Sequence, residues 1–309
     1  MCHFLTKLLV MGLILAGAAS CGERSSRRIH RTYDKRPEPV APAAAPQPVS
    51  LADRPLYTFN EAEVDAYLRS LAQTEPDPVR RILHLGRKNI GQPYEIYLLG
   101  EYPYELYDPQ PMYCLDKSDC VTFAEHMYAM GLADGWPRFF TNLQRLRYKD
   151  GRVGMLTRNH YTEADWDRNN AFLFEDMTTL LGEGQVWVPL TNTIRRAKFF
   201  AKHGIGQDIP DEAFSGSYIP TERVPEILHE LRDADFVNII RGDKAAQWAG
   251  HVGLIAHGPD GTVNFLHSAR PSVREQPLME YLAGDKRCVG IKILRLRDNP
   301  FERIDEATR

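Results

Sequence analysis

The stretch that most limits the fold is Gly250 to Ala269. Gly250-His251-Val252-Gly253-Leu254-Ile255 and Val263-Asn264-Phe265-Leu266-His267-Ser268-Ala269 both read as strands, with Pro259-Asp260-Gly261 as turn chemistry between them. Closing the pair as a hairpin sets residues 258 and 262 face to face. His267 then stands opposite Gly253, on the same face as His251 and diagonal to it, within reach of a hydrogen bond. Gly253 leaves room for the second ring. Two further strand candidates, Phe236 to Ile240 and Val289 to Leu296, flank this pair. A helical N-terminal half followed by antiparallel strands predicts an α+β fold.

The other informative stretch is Ser118-Asp119-Cys120-Val121-Thr122-Phe123-Ala124-Glu125-His126-Met127. Phe123, Met127 and Met130 are spaced for one buried helical face, and Asp119 suits the N-cap, which puts Cys120 in the first turn. Unpaired N–H groups and the positive end of the helix dipole favour a thiolate there. Cys120 is therefore a candidate nucleophile, its own N–H a candidate oxyanion donor, His251 a candidate base and His267 the group that orients it. The alternative is an inert buried cysteine at a helix start. His251 and His257 share a face but are six residues apart, roughly 20 Å at ~3.3 Å per residue. One metal ion cannot take both without a bend, so no metal site is expected.

Gly91-Gln92-Pro93-Tyr94, Asp119-Cys120, His251-Val252-Gly253 and His267-Ser268-Ala269 resemble the ordered motifs of NlpC-type cell-wall cysteine hydrolases, a papain-like superfamily. The longer blocks Asp119 to Glu125, Arg158 to Trp166 and Leu266 to Val273 resemble its N-acetylmuramoyl-L-alanine amidase-like branch, long catalogued as a domain of unknown function. The resemblance implies a papain-like fold with the nucleophile helix packed on the sheet, and a Cys120-His251-His267 triad that needs no cofactor. It also implies cleavage of the amide between N-acetylmuramic acid and L-alanine in peptidoglycan or muropeptides. Two alternatives stay open. One is an endopeptidase cutting between γ-D-glutamate and the diamino acid; the other is a lipoprotein that binds cell-wall fragments without turnover. Val121 stands where better-known peptidases of the superfamily carry Ser, so their peptide recognition does not transfer intact. Expected substrate contacts are Tyr94, in the Gly-x-Pro-Tyr pattern, Asp119, Arg158 toward a carboxylate, and Tyr161 and Trp166 as groove walls.

Residues 1–20 read as a signal peptide. Lys7 precedes the apolar run Leu8 to Leu15, and Ala18-Ala19-Ser20-Cys21 resembles a lipobox, so Cys21 is the expected lipidation site. The run is too short for a comfortable membrane span. Gly22 after the acylated cysteine implies, by resemblance to bacterial lipoproteins, a periplasmic protein on the outer membrane. Residues 21–54 read as a basic, then Pro/Ala-rich linker. The hydrolase domain is expected over 55–300 and a tail over 301–309. A formal net charge of −3 and no basic patch beyond the linker argue against nucleic acid as partner.

Within the domain, Asn60 with Glu63 reads as a capping box and Asp77-Pro78 as a second helix start. Gly91 to Met112 is a loop rich in tyrosine, Arg138 to Tyr148 a helix, and Arg158 to Trp166 a long loop. Val186 to Val188 is expected as strand, Thr191 to Phe200 as strand or helix, and Gly204 to Ser217 as loop. Val224 to Leu231 and Gln276 to Leu282 are expected as short helices. Beyond Cys2 and Cys21 three cysteines remain; with Cys120 free, Cys114 and Cys288 either pair or stay thiols.

Overall fold

The computed structural model describes residues 50–205, 208–243 and 246–309 of the 309-residue chain. The expected signal peptide, Cys21 and the linker up to residue 49 lie outside them. Helix α1 (Glu61–Thr74) starts at Asn60, whose side chain accepts from Glu63 N while the Glu63 carboxylate accepts from Asn60 N. Such a cap stabilises a helix by about 1 kcal/mol. Helix α2 (Pro78–Lys88) starts at Asp77, which accepts from Val79 N at 2.9 Å. Helix α3 (Cys120–Gly131) is capped by Asp119, and residues Thr122 to Gly131 are all buried. It therefore sits inside the molecule, against α2, helix α4 (Trp136–Arg147) and the sheet.

The strands are β1 (Phe174–Asp176), β2 (Val188–Ile194), β3 (Glu212–Pro220), β4 (Phe236–Gly242), β5 (Gln247–His257), β6 (Val263–Ser268), β7 (Val273–Pro277) and β8 (Cys288–Leu296). They form one sheet in the order β2-β3-β8-β4-β5-β6-β7, with β1 also on β8, and every pairing is antiparallel. Apolar side chains cover both faces. Leu254, Val252 and Leu266 join Phe123 and Met127 in the main core, while Ile255, Phe265, Ile239 and Ile291 form a second core on the other face. The short helices α7 (Val224–Ile227) and α8 (Leu278–Gly284) close that second core through Ile227 and Leu278. This is the mixed α+β architecture expected from the sequence.

The β5–β6 hairpin has the register that its turn predicts. Leu254 faces Leu266 and His257 faces Val263, while Gly258 N donates to Thr262 O at 2.8 Å. One feature is new. Between β4 and β5 the register slips, so that Ile239 pairs with His251 but Ile240 with Ala249, leaving Gly250 as an extra residue just before His251. Bulges of this kind re-aim the side chains that follow. Arg241 holds this one, its Nη1 donating to Gly250 O at 2.6 Å.

Four expectations are corrected. Residues 212–217, expected as loop, belong to β3; only Phe214 and Ile219 of that strand are buried, so its pattern is faint. Residues 191–200 divide between β2 and helix α6 (Arg196–Ala201). The loop Arg158 to Trp166 ends in a π-helical turn, Thr162–Trp166, where Trp166 N reaches back to Tyr161 O at 3.1 Å, and α5 (Asp167–Asn169) follows. The expected tail is instead helix α9 (Pro300–Ala307), with Ile304 buried in the main core and Arg145 Nε donating to Ala307 O at 3.1 Å.

Candidate active site

Cys120 is the first residue of α3, as the Asp119 cap requires; Asp119 Oδ1 accepts from Thr122 N at 2.8 Å. Cys120 is half-buried and packs against the main core. The backbone N–H groups of Val252, Val121 and Cys120 itself point toward it. Two serines tie this helix start to the strand that carries His267. Ser118 Oγ lies 2.9 Å from Ser268 Oγ and 2.6 Å from Gln92 Oε1, and Ser268 Oγ donates to Ser118 O at 3.0 Å. Residues 150 positions apart are thus held by a buried polar clasp.

His251 and His267 meet. His251 Nε2 lies 2.7 Å from His267 Nδ1, with the rings nearly perpendicular. His267 is fully buried, and its Nε2 lies 3.2 Å from Gln276 Nε2, so both of its ring nitrogens are engaged. Turning the Gln276 amide serves either tautomer, its nitrogen as donor or its oxygen as acceptor. The Tyr281 ring stacks on His251 at 5.8 Å, with its hydroxyl bound by Arg241 Nη2 at 3.1 Å. A Cβ on Gly253 would come within 2.8 Å of His267 Cβ, so glycine is what admits the second imidazole. His257 is engaged elsewhere, its Nδ1 2.8 Å from Asp233. Among the described residues no three His, Cys, Asp or Glu gather into a metal site.

The electrostatics differ from the expectation of a thiolate. Burial, with Asp119 adding to it, pushes the Cys120 thiol up to about 12 despite the three opposing N–H groups. Burial likewise pushes His251 down to about 3, and Arg241 and Arg274 push the same way. The free protein therefore holds a neutral thiol and a neutral imidazole. Among the described residues no hydrogen bond joins them directly, and catalytic contacts often tighten only when substrate is bound. With Nε2 taken up by His267, Nδ1 is the nitrogen of His251 left for the thiol.

His251 and Tyr94 line one cavity of about 550 Å³, together with Arg241, Arg270, Arg274, Gln276 and Tyr281. Tyr94 is fixed by its N–H to Pro271 O at 3.0 Å and carries the Arg270 guanidinium over its ring. Asp119 acts locally as the helix cap. The other three expected contacts lie elsewhere. Arg158 is committed to Glu101 at 3.3 Å, Asp108 at 2.9 Å and Leu99 O at 2.9 Å. It anchors the tyrosine loop, with Arg147 and Tyr148 binding the carbonyls of Leu99 and Gly100 beside it. Trp166 is a core residue, 1% exposed, stacked on Phe236 at 4.4 Å and donating to buried Glu125 at 3.1 Å. Tyr161 lines a separate cavity of about 320 Å³ with Trp248 and Phe214. Cys114 and Cys288 are free thiols.

Arg241, Arg270, Arg274, Gln276 and Tyr281 were not singled out from sequence. Gln276 and Arg274 alternate on β7, and Arg274 pairs with His267 across the strands, so β7 and its register would have revealed both. Tyr281 follows from the helix that β7 leads into.

The model of the N-acetylmuramoyl-L-alanine amidase-like family matches residues 84–291, a span that holds Tyr94, Cys120, His251 and His267. No curated protein matches the chain. Among solved structures, a protein of Legionella pneumophila is similar, with a TM-score of 0.67 at 20% identity over 77% of this chain and 97% of that one. An N-acetylmuramoyl-L-alanine amidase of Bacteroides uniformis is similar too, with a TM-score of 0.56 at 21% identity over 72% and 99% of the two chains. At these identities the likeness is one of fold.

Proposed function

Since this chain belongs to the N-acetylmuramoyl-L-alanine amidase-like family, we propose that it is a cysteine-dependent cell-wall hydrolase. In this reading it splits the amide between N-acetylmuramic acid and L-alanine in peptidoglycan or its soluble fragments. The observation that carries the reading is the His251–His267 pair at 2.7 Å, beside a helix start that presents Cys120. We read the arrangement as papain-like, of the NlpC type.

Chemistry follows from the neutral resting pair. His251 Nδ1 takes the Cys120 proton as sulfur attacks the lactyl carbonyl of the muramic acid. The Cys120 N–H supports the developing oxyanion at the helix start. The protonated His251, steadied through Nε2 by His267, then gives its proton to the departing L-alanine amine. Water, activated by the same nitrogen, hydrolyses the thioester and restores the thiol. Because the imidazole begins neutral, proton transfer accompanies attack rather than preceding it.

The test is product analysis with defined muropeptides. A free amino-sugar acid and an intact peptide starting at L-alanine are expected, and Cys120→Ala should yield neither while keeping the native melting curve. Cleavage after D-glutamate, with L-alanine left on the sugar, would replace this reading by the endopeptidase. Binding without turnover would make the protein a receptor for wall fragments. The same proposal has the chain exported and lipidated at Cys21, on the periplasmic side of the outer membrane. Labelled palmitate should enter the native chain and be lost with Cys21→Ser.

A further inference from the structure

The cavity that holds His251 and Tyr94 has an unbalanced charge. Arg241 is fully engaged, with Asp285 at 2.7 Å, Gly250 O at 2.6 Å and the Tyr281 hydroxyl at 3.1 Å. Arg287 lies near the same Asp285 carboxylate, at 3.9 Å. Arg270 and Arg274 differ. Both line the cavity, and among the described residues neither forms an ion pair with a carboxylate. Their fixed contacts are one bond from Arg274 Nη1 to Arg270 O at 2.7 Å and the Arg270 guanidinium 5.7 Å from the centre of the Tyr94 ring. Glu280 is the one carboxylate of the cavity wall without a described partner, and it is exposed.

Their placement is fixed by the sheet. Arg274 is the direct cross-strand partner of His267, and such partners point to the same face. The guanidinium therefore stands on the side where His251 and His267 meet. Arg270 follows Ser268 of the buried clasp by two residues, which keeps it close to the start of α3. Two guanidiniums beside a neutral base, with little to balance them, suit a ligand that brings its own negative charge. Arg is the side chain best shaped to take a carboxylate by paired hydrogen bonds.

We infer that Arg270 and Arg274 form a carboxylate subsite of the catalytic cavity, which selects substrates whose peptide carries a free acid near the scissile bond. The inference rests on the hydrolase reading above and adds to it a class of substrate, the acidic rather than the amidated stem peptide. It also assigns to these two residues the role that the sequence suggested for Arg158. Binding at the subsite has a second effect: the ligand's charge offsets Arg274, one of the groups that disfavour a proton on His251. A substrate with the acid thus prepares its own base.

The experiment compares two synthetic muramyl dipeptides, N-acetylmuramoyl-L-alanyl-D-glutamate and its diamide, in which both glutamate carboxylates are carboxamides. Turnover by the full chain is measured alongside calorimetric binding to the Cys120→Ala protein. A charge-assisted contact predicts a preference of ~10-fold or more for the free acid, read as KM and as affinity. In Arg270→Gln and Arg274→Gln proteins that preference should collapse toward one, and Arg274→Lys should keep part of it. Equal losses on both dipeptides, or an undiminished preference, overturn the subsite. The two readings fail separately. Turnover at the muramyl–alanine bond without preference removes the subsite alone. Arginine-dependent preference in binding, with no turnover by the native chain, removes the hydrolase reading alone.

Discussion

Replacing Gly253 by alanine tests whether the second imidazole governs the first. The added Cβ would stand 2.6 Å from Phe265 Cε2, 2.8 Å from His267 Cβ and 2.8 Å from Leu266 O. Carbon atoms pack best at about 3.5–4.0 Å, so the neighbours must give way by roughly 0.7 Å or more. Phe265 and His267 are both fully buried and have little room to move. Overpacking of this kind costs about 1–3 kcal/mol. For a domain of this size, that is a loss of about 2–12 °C in melting temperature. The functional loss should be larger in proportion, because a misplacement of about 1 Å near the chemistry costs on the order of 10²-fold in rate. His267 moves, the 2.7 Å bond to His251 Nε2 is strained, and the base loses its orientation. The assay is kcat on a muropeptide beside a calorimetric melting curve. Activity within about threefold of native, in a protein that melts lower as expected, would refute the claim that His267 sets the position of His251.

Arg158→Ala should cost about 3–5 kcal/mol in unfolding free energy, because it removes the ion-pair partner of the buried Glu101 carboxylate. Limited proteolysis should then cut within residues 95–108; an unchanged melting temperature would contradict the anchoring role. Alkylation of Cys120 by iodoacetamide in the free protein should rise about tenfold per pH unit from 7 to 10, since burial holds the thiol at about 12. A plateau near neutral pH would instead reveal a standing thiolate. Burial also depresses His126 to about 4, His160 and His251 to about 3 and His267 to about 2, from an ordinary 6.5. Groups shifted down in the fold are protonated first in the unfolded chain, so their contribution is present above about pH 6.5 and lost as pH falls toward 3. Imidazole resonances of these four histidines that titrate near pH 6.5 in the folded protein would refute that burial.

Local chemistry explains what the sequence made legible. Pro259-Asp260-Gly261 fixed the hairpin, and with it the diagonal approach of His251 and His267; Asn60, Asp77 and Asp119 fixed three helix starts. What escaped depends on partners remote in sequence. Trp166 and Arg158 carry the same chemistry whether buried or exposed, and only the packing of Phe236, Glu101 and Asp108 around them decides. The expected thiolate at Cys120 followed from the helix dipole, a local effect, and was outweighed by burial, a property of the assembled core. Strand β7 is short and mostly polar, Val-Arg-Glu-Gln-Pro, so its pairing with β6 and the arginine it delivers were hidden.

The position of β8 has a consequence for biosynthesis. This strand is made after the seven others, yet it lies in the middle of the sheet and separates β3 from β4. Ile291 and Ile293 fill one core and Leu294 the other. Until residues 288–296 have emerged, the edges of β3 and β4 lack a neighbour, and open edges invite pairing with other chains. A nascent chain that ends at residue 280 already contains Cys120, His251 and His267, and its β5–β6 hairpin can close by local contacts alone. It has no seam, however, to join the two parts of the sheet. Such a chain should bind chaperones and show none of the native protein's activity, so that competence arrives all at once, when residues 288–296 have emerged.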